Sequence, residues 1–510
     1  MPVLQIIAGI IVTIATYLFL LPRLRSRIKG VPVENGIPLI GTKLSELHAG
    51  HVYAWERTKS WGQVIGAYGW NPFRLAGVRV SNPKVVKEML QSNYEVFDKD
   101  RFQVEPFDDV AGGLVFIENG WKWKDSREMF EPFFKHAYMR KQQPMFKREM
   151  EKLVSCFERD MAKSPTGFDV QELFHRFTFD TISSLTFGFP PESQLNEGSD
   201  LLNAFMLMVN ESFMRFVKIA LIPVPLSWKR NLVKRSSEYE KAHNLLRKVI
   251  NEKIEAVREA KTDVAKAAQV AEDISVITTL IRDNTVPDWM DRAELIKQLI
   301  TLLFAGHDTT SNMLTWTFYF LAHYPDCQQK LRDEALAAFG RDGELDIDTL
   351  ERSKYCTAFL KESLRLRPSS LGQPRFPSKP VSIEWDDTTT GTKGNKLEVR
   401  PGMSVMYDQW AMQRDPNIWG PTVEEFDPER FIKDPHGGAT SIYAFVPFSY
   451  GPRRCLGEKL ALTEGRWILT EIVRRWKVVP ADKWDYQIAV VGNMRARYGI
   501  GVKIVPLSEE

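Results

Sequence analysis

Phe448-Ser449-Tyr450-Gly451-Pro452-Arg453-Arg454-Cys455-Leu456-Gly457, followed by a helical stretch from Glu458 onward, is the segment on which the reading of this 510-residue chain turns. Its glycines let the backbone bend tightly. Arg453 and the N-terminus of the helix that follows both favour a thiolate at Cys455 over a thiol. A lone cysteine beside a turn is more often a buried structural residue. The pattern of Phe448, Gly451, Arg453, Cys455 and Gly457 around it reverses that expectation.

Working upstream, Pro428-Glu429-Arg430-Phe431 precedes the loop, and Glu362-Ser363-Leu364-Arg365 sets an acid and a base at i,i+3 on one helix face. On its own such a pair is usually a solvated contact worth under about 1 kcal/mol. Asp291 to Tyr324 is the longest helical run, closed by Pro325, with Leu295, Leu299, Leu303, Leu314, Trp316 and Phe320 spread over nearly every face. A helix apolar all round is buried all round, which puts this one through the core. The polar insert Gly306-His307-Asp308-Thr309-Thr310 in its middle therefore needs a reason. Further upstream, Trp123 and Arg127 share a helix face at i,i+4.

These blocks, in this order, resemble the cytochrome P450 family, and the resemblance runs from the N-terminal segment to the end of the chain. It implies haem b with Cys455 as axial thiolate, which donates electron density to iron and promotes O–O cleavage. It implies that Phe448, Gly451 and Gly457 shape the loop against a flat macrocycle. Trp123, Arg127, Arg375 and Arg453 would meet the haem propionates, a task for which arginine suits better than lysine. Glu362 and Arg365 would bond Arg430 and lock the meander ahead of the cysteine loop. Small Ala305 and Gly306 would bring the central helix close to the distal haem face. The Thr309 hydroxyl would bond the i−4 carbonyl and bend the helix to make room for O₂. Asp308 and Thr309 would deliver protons as the general-acid part of the reaction, and His307 would line the wall. None of the eight histidines has the context of a haem ligand.

Composition agrees with an enzyme-sized folded body: 44% of residues are hydrophobic and 26% charged. The four cysteines form no CxxC pair, so neither zinc nor a disulfide framework is signalled. A net charge of +3 with no basic stripe interleaved with aromatics sets nucleic acid aside. Helical periodicity dominates, as in Ser237 to Arg258, and strand signals are confined to Val381–Trp385, Lys396–Val399 and a tail near Ile488–Pro506. The fold class is mainly α with small β-sheets, the cytochrome P450 fold preceded by one N-terminal transmembrane helix. Residues 1–22 read as that anchor, since Val3 to Leu21 is apolar and long enough to cross a hydrocarbon core. Arg23, Arg25, Arg27 and Lys29 follow it, which puts the body in the cytosol, on the endoplasmic reticulum membrane. Residues 23–41 form a basic, Pro/Gly-rich linker and 42–510 the catalytic domain.

No GxGxxG after a strand and no phosphate-binding loop occurs, so electrons are expected from NADPH through a separate partner, an NADPH–cytochrome P450 reductase. Arg454 and Lys459 offer it a basic surface. Asn210-Glu211-Ser212 fits a glycosylation pattern that stays unmodified in the cytosol. Phe97–Phe116 and Leu201–Trp228 would line the pocket, the second dipping its apolar tip Ile219–Pro225 into membrane lipid; Phe205, Met206, Met208, Phe213, Met214 and Phe216 suit bulky lipophilic compounds. Gly120–Phe134 and Phe168–Phe187 resemble the fungal alkane and fatty-acid hydroxylases. Ser369–Arg375 and the Trp385–Lys396 insert depart from them. The expected activity is insertion of one oxygen atom into a lipophilic small molecule, an intermediate of a fungal secondary-metabolite pathway. Fatty-acid or alkane hydroxylation is the alternative, and a non-catalytic haem sensor or carrier the alternative of another class.

Overall fold

The computed structural model describes residues 58–59, 62–67, 77–99, 105–113, 119–221, 234–491 and 493–507. The expected anchor, the linker and residues 222–225 of the apolar tip lie outside the described residues. Among those described, no helix is long and apolar enough to cross a membrane.

Nine helices of ten or more residues are described: α1 (Trp121–Phe130), α2 (Gln143–Lys163), α3 (Val170–Phe187), α4 (Asp200–Leu221), α5 (Ser237–Ala260), α6 (Arg292–His323), α7 (Pro325–Phe339), α8 (Lys354–Leu366) and α9 (Glu458–Arg475). The strands are short: β1 (Val64–Ala67), β2 (Gly77–Val80), β3 (Phe97–Asp98), β4 (Phe168–Asp169), β5 (Pro374–Pro377), β6 (Val381–Trp385), β7 (Asn395–Val399), β8 (Ser404–Tyr407), β9 (Trp476–Pro480), β10 (Ile488–Val491), β11 (Asn493–Ala496) and β12 (Gly501–Pro506). One sheet runs β1-β2-β8-β5-β3, with β2 and β8 parallel; a second is β4-β12-β9, and β6–β7 and β10–β11 are antiparallel hairpins. The mainly helical class with small sheets stands.

The central helix α6 begins where Asp291 caps it, its carboxylate accepting from the Glu294 amide at 2.8 Å, and stops just before Pro325. It is buried along most of its length, as its all-round apolarity requires. Its heaviest partner is α3, capped by Asp169 and ended by Gly188 in the left-handed region at φ 81°. Phe318 of α6 meets Phe174 of α3 edge-to-face at 4.7 Å, a contact worth about 0.5–1.5 kcal/mol beyond area burial. A second apolar cluster, including Val80, Val405, Tyr407 and Trp419, lies under the five-stranded sheet. The cysteine loop joins the two bodies: Phe448 and Leu456 pack on the helical core and Tyr450 on the sheet-side cluster.

Candidate active site

Gly451 and Ser449 give the cysteine loop its shape. Both have positive φ, 69° and 62°. A Cβ at Gly451 would stand 2.0 Å from the Leu90 carbonyl oxygen, so only glycine fits. Ser449 accepts a conformation that L side chains rarely adopt, and the loop's own bonds hold it there: Ser449 N–H donates to Val446, and Cys455 N–H to the Phe448 carbonyl at 2.8 Å. At Gly457 a Cβ would meet nothing within 4 Å, so that glycine leaves open space beside the cysteine. The Cys455 side chain is accessible to solvent, with protein atoms crowded around it.

The protein alone does not favour a thiolate there. Burial pushes the Cys455 thiol up to about 11, against the lowering effects of the Gly457 amide, Arg127 and Arg454. The sequence pointed to Arg453 for this task, but the cations in electrostatic reach of the sulfur are Arg127 and Arg454. Arg127 donates to the Arg454 carbonyl at 3.0 Å, which ties α1 to the loop.

Arg453 turns away from the sulfur. Its guanidinium lies 4.0 Å over the Trp123 ring, and its Nε donates to Asn119 at 2.8 Å. Its two terminal nitrogens are buried without a hydrogen bond among the described residues; the nearest carboxylate, Asp98, is 4.0 Å away. Burial and the neighbouring Arg375 bring its pKa down to about 9. Arg375 on β5 is buried, bonded to Gln373 and the Pro374 carbonyl, and Lys99 donates to the same Gln373 oxygen at 2.8 Å. Burial and these two arginines hold Lys99 well below its ordinary value. Cations thus outnumber Asp98, an arrangement that an anion would relieve.

On α6, Ala305 and Thr309 are partly accessible one turn apart, whereas His307, Asp308 and Thr310 are buried. The Thr309 hydroxyl donates to the Ala305 carbonyl at 2.7 Å, as expected, and α6 continues as α-helix through this turn. A Cβ on Gly306 would stand 2.8 Å from Ile182 Cδ1, so this partly accessible glycine lets α3 pack close. One expectation needs correction. His307 lines no wall: it is 1% exposed, boxed by His175, Phe179 and Phe205 at ring distances of 5.2–5.6 Å, and burial drives its pKa down to about 3. The Asp308 carboxylate points to β11, accepting from Arg495 at 2.7 Å and Asn493 at 2.6 Å. Burial opposes its ionisation, but Arg495, His175 and Asn493 outweigh it and hold the carboxyl below its ordinary value.

Glu362 and Arg365 are both 0% exposed, far from the solvated pair that their spacing alone suggests. Glu362 accepts from Arg365 at 2.7 and 2.8 Å, from Arg430 Nε at 3.1 Å and from the Asp427 amide at 2.9 Å. Arg365 also donates to the carbonyls of Gln413, Val423 and Glu425. The segment ahead of the cysteine loop is bonded through these groups to α8.

The cytochrome P450 family model matches residues 32–493. This chain belongs to the cytochrome P450 family. It is 24% identical over 466 residues to cytokinin hydroxylase of Arabidopsis thaliana, covering 90% of this chain and 83% of that protein. It is 26% identical over 458 residues to echinocystic acid 23-monooxygenase of Saponaria officinalis (86% and 82% covered). Cytochrome P450 52A12 of Debaryomyces hansenii is 27% identical over 446 residues (85% and 83% covered). The protein is thus an oxidoreductase, a P450 monooxygenase that uses haem held by a cysteine thiolate and electrons supplied by a reductase.

The described residues fit that group. Cys455 is accessible, Gly457 leaves room beside it, and the cations around Arg453 outnumber the one acid, Asp98, as suits a bound anion. Sequence reading missed Lys99, Asn119 and Gln373 around the arginines, and Arg495, Asn493 and His175 around Asp308. Gln373 and Asn119 stand beside Arg375 and Trp123 in the chain without a motif role of their own, whereas Lys99, Arg495, Asn493 and His175 reach the site from distant parts of the chain.

Proposed function

We propose that this P450 inserts one oxygen atom from O₂ into a lipophilic small molecule, an intermediate of a fungal secondary-metabolite pathway. The observation that carries the site assignment is the buried Arg453 guanidinium, without a hydrogen bond at either terminal nitrogen among the described residues and stacked on Trp123 beside the cysteine loop. Cys455 is the axial ligand, and Trp123, Arg127, Arg375 and Arg453 take the propionates. Bound haem supplies the oxygen-activating chemistry. Phe448 and Gly451 fix the loop, Gly457 and Ala305 keep space open, and Glu362, Arg365 and Arg430 hold the meander. The Thr309 hydroxyl and the Asp308 carboxyl hold and pass protons.

The substrate reading rests on Ser369–Arg375, which departs from the alkane-hydroxylase pattern. The Ser369 hydroxyl donates to the Thr309 carbonyl at 2.9 Å, so the departure lies at the site. The Trp385–Lys396 insert instead bonds Gln63 and Asn82. Fatty-acid or alkane hydroxylation is the second reading, favoured by the Gly120–Phe134 and Phe168–Phe187 blocks. The hydroxylase and monooxygenase relatives speak against a mere haem carrier. Residues 1–22 anchor the catalytic domain (42–510) to the endoplasmic reticulum membrane through linker 23–41, facing the cytosol, where NADPH–cytochrome P450 reductase meets it; the apolar run Val3–Leu21 and the arginines after it support this.

The test is spectral titration of the ferric holoenzyme with long-chain fatty acids and with rigid polycyclic metabolites. A low-to-high-spin shift with the polycyclic panel alone is expected. A shift with the fatty acids alone would replace this substrate class with the second reading.

A further inference from the structure

Arg367 and Arg414 stand beside the lock around Glu362 but bond to none of its side chains. Arg367 follows the last residue of α8, and its guanidinium lies over three rings: Trp316 at 5.3 Å and Phe320 at 6.0 Å, both on α6, and Trp410 at 5.4 Å. Arg414 comes just after the short helix Gln409–Met412 and stacks 3.3 Å from the centre of the same Trp410 ring. Both guanidiniums donate to one oxygen, the Leu366 carbonyl, Arg367 through Nη1 at 2.9 Å and Arg414 through Nη2. Two cations that share an acceptor and a ring stand side by side.

Their charge is poorly balanced. Arg414 is 2% exposed. The carboxylate that pairs with it is Glu424, 3.5 Å from Nε, with a side chain 60% exposed, so water screens much of that attraction. Glu362, the buried acid of this region, is already divided between Arg365 and Arg430. Asp408 lies within electrostatic reach but pairs with Arg79 at 3.3 Å, while Arg365 adds a third cation. Burial and Arg367 hold Arg414 well below its ordinary value. A guanidinium nevertheless keeps its proton, so the excess of buried positive charge calls for an anion.

Donors are left over as well. Arg414 Nη1, Arg367 Nε and Trp316 Nε1 are buried, and none makes a hydrogen bond among the described residues. Buried N–H groups are nearly always paired, so three of them in one cluster mark a missing acceptor. Water would satisfy the donors but not the charge. Trp316 is 1% exposed, whereas Arg367 is half-buried and leaves a way in for an ion.

We propose that Arg367, Arg414 and Trp316 form a binding site for a small tetrahedral oxyanion, phosphate or sulfate, between α6, the end of α8 and the helix Gln409–Met412. Guanidinium N–H groups match the oxygens of such an ion in charge and geometry. A tetrahedral ion presents oxygens in more directions than a planar carboxylate, which suits donors that arrive from three parts of the chain. The site shares no residue with the cations around Arg453. Its occupant fastens the segment leading from α8 toward Arg430 and the cysteine loop to the central helix.

The experiment is calorimetric titration of the haem-loaded enzyme with inorganic phosphate, at an ionic strength held constant with chloride, for wild type, Arg367→Gln and Trp316→Phe, with acetate as the planar control. Loading with haem keeps Arg375 and Arg453 from taking up the probe. One saturable phosphate site is expected in wild type. Arg367→Gln should weaken it at least about tenfold, the worth of one charge-assisted hydrogen bond. Trp316→Phe keeps the ring under Arg367 and loses only the N–H, and should weaken binding too. The Soret-detected melting temperature should rise with phosphate more in wild type than in Arg367→Gln, a difference that removes the general effect of phosphate on folded proteins. No saturable heat in wild type, or an unchanged affinity in Arg367→Gln, would overturn the site. Unchanged affinity in Trp316→Phe would overturn the part given to Trp316, and acetate bound as tightly as phosphate would overturn the tetrahedral ligand.

Discussion

Replacing Glu362 by glutamine tests whether the buried acid near the C-terminal end of α8 holds the cysteine-loop approach in place. The side chain keeps its shape, but one oxygen becomes an NH₂ group and the negative charge is gone. Glu362 accepts four hydrogen bonds, two from Arg365, one from Arg430 and one from the Asp427 amide. An amide has a single acceptor oxygen, so at least one arginine N–H is left facing another donor. Arg365, 0% exposed, loses the countercharge that makes its burial tolerable. Removing one partner of a buried pair costs about 3–5 kcal/mol, mostly the penalty of the stranded charge. Against a typical stability of roughly 5–15 kcal/mol, that is at least about a fifth of the total. Urea unfolding followed by tryptophan fluorescence reads it, since Arg365 stacks 5.3 Å from the Trp419 ring. The unfolding midpoint should drop steeply in Glu362→Gln. Arg430→Met, with its side chain at the rim of the cluster, should cost less. A Glu362→Gln midpoint within error of wild type would refute the reasoning, because it would mean that Arg365 is compensated by its three carbonyl contacts alone.

Three further outcomes are expected. Arg453→Gln should release haem to a scavenger protein at least about tenfold faster, the equivalent of ~1.4 kcal/mol; an unchanged release rate would remove Arg453 from the propionate site. Asp169 caps α3 and is raised by burial from 3.8 to about 6, so the folded state keeps a proton that the unfolded chain has lost, and stability falls as pH rises through that interval. Asp169→Asn retains the oxygen that accepts from the Gln171 and Ile500 amides, both at 2.9 Å, and should raise the melting temperature at pH 7.5 but not at pH 4; an equal effect at both would contradict the cause given. Gly306→Ala gains about 1 kcal/mol of helix propensity but drives a methyl into Ile182, an overpacking worth about 1–3 kcal/mol. A net loss is expected, relieved by Ile182→Val, and denaturation of the two variants would show it.

What the sequence determined by itself is local in origin. The period of α6 and its apolarity on every face foretold a buried central helix, because a helix's face is written in residues three and four apart. The bend at Gly451 and the space at Gly457 are properties of a few consecutive residues, and the i,i+3 spacing of Glu362 and Arg365 fixed that they share a face. Whether that face was wet or dry only packing decided, and with it whether the pair is trivial or central to stability. The same holds for Gly306, whose smallness serves Ile182, and for Arg453, which turns to Trp123 and away from the sulfur. Arg495, Lys99 and His175 carry no local signature of their roles. Partners so far apart in sequence meet only when the chain path brings them together, and there the low local dielectric makes each contact, or each missing one, count.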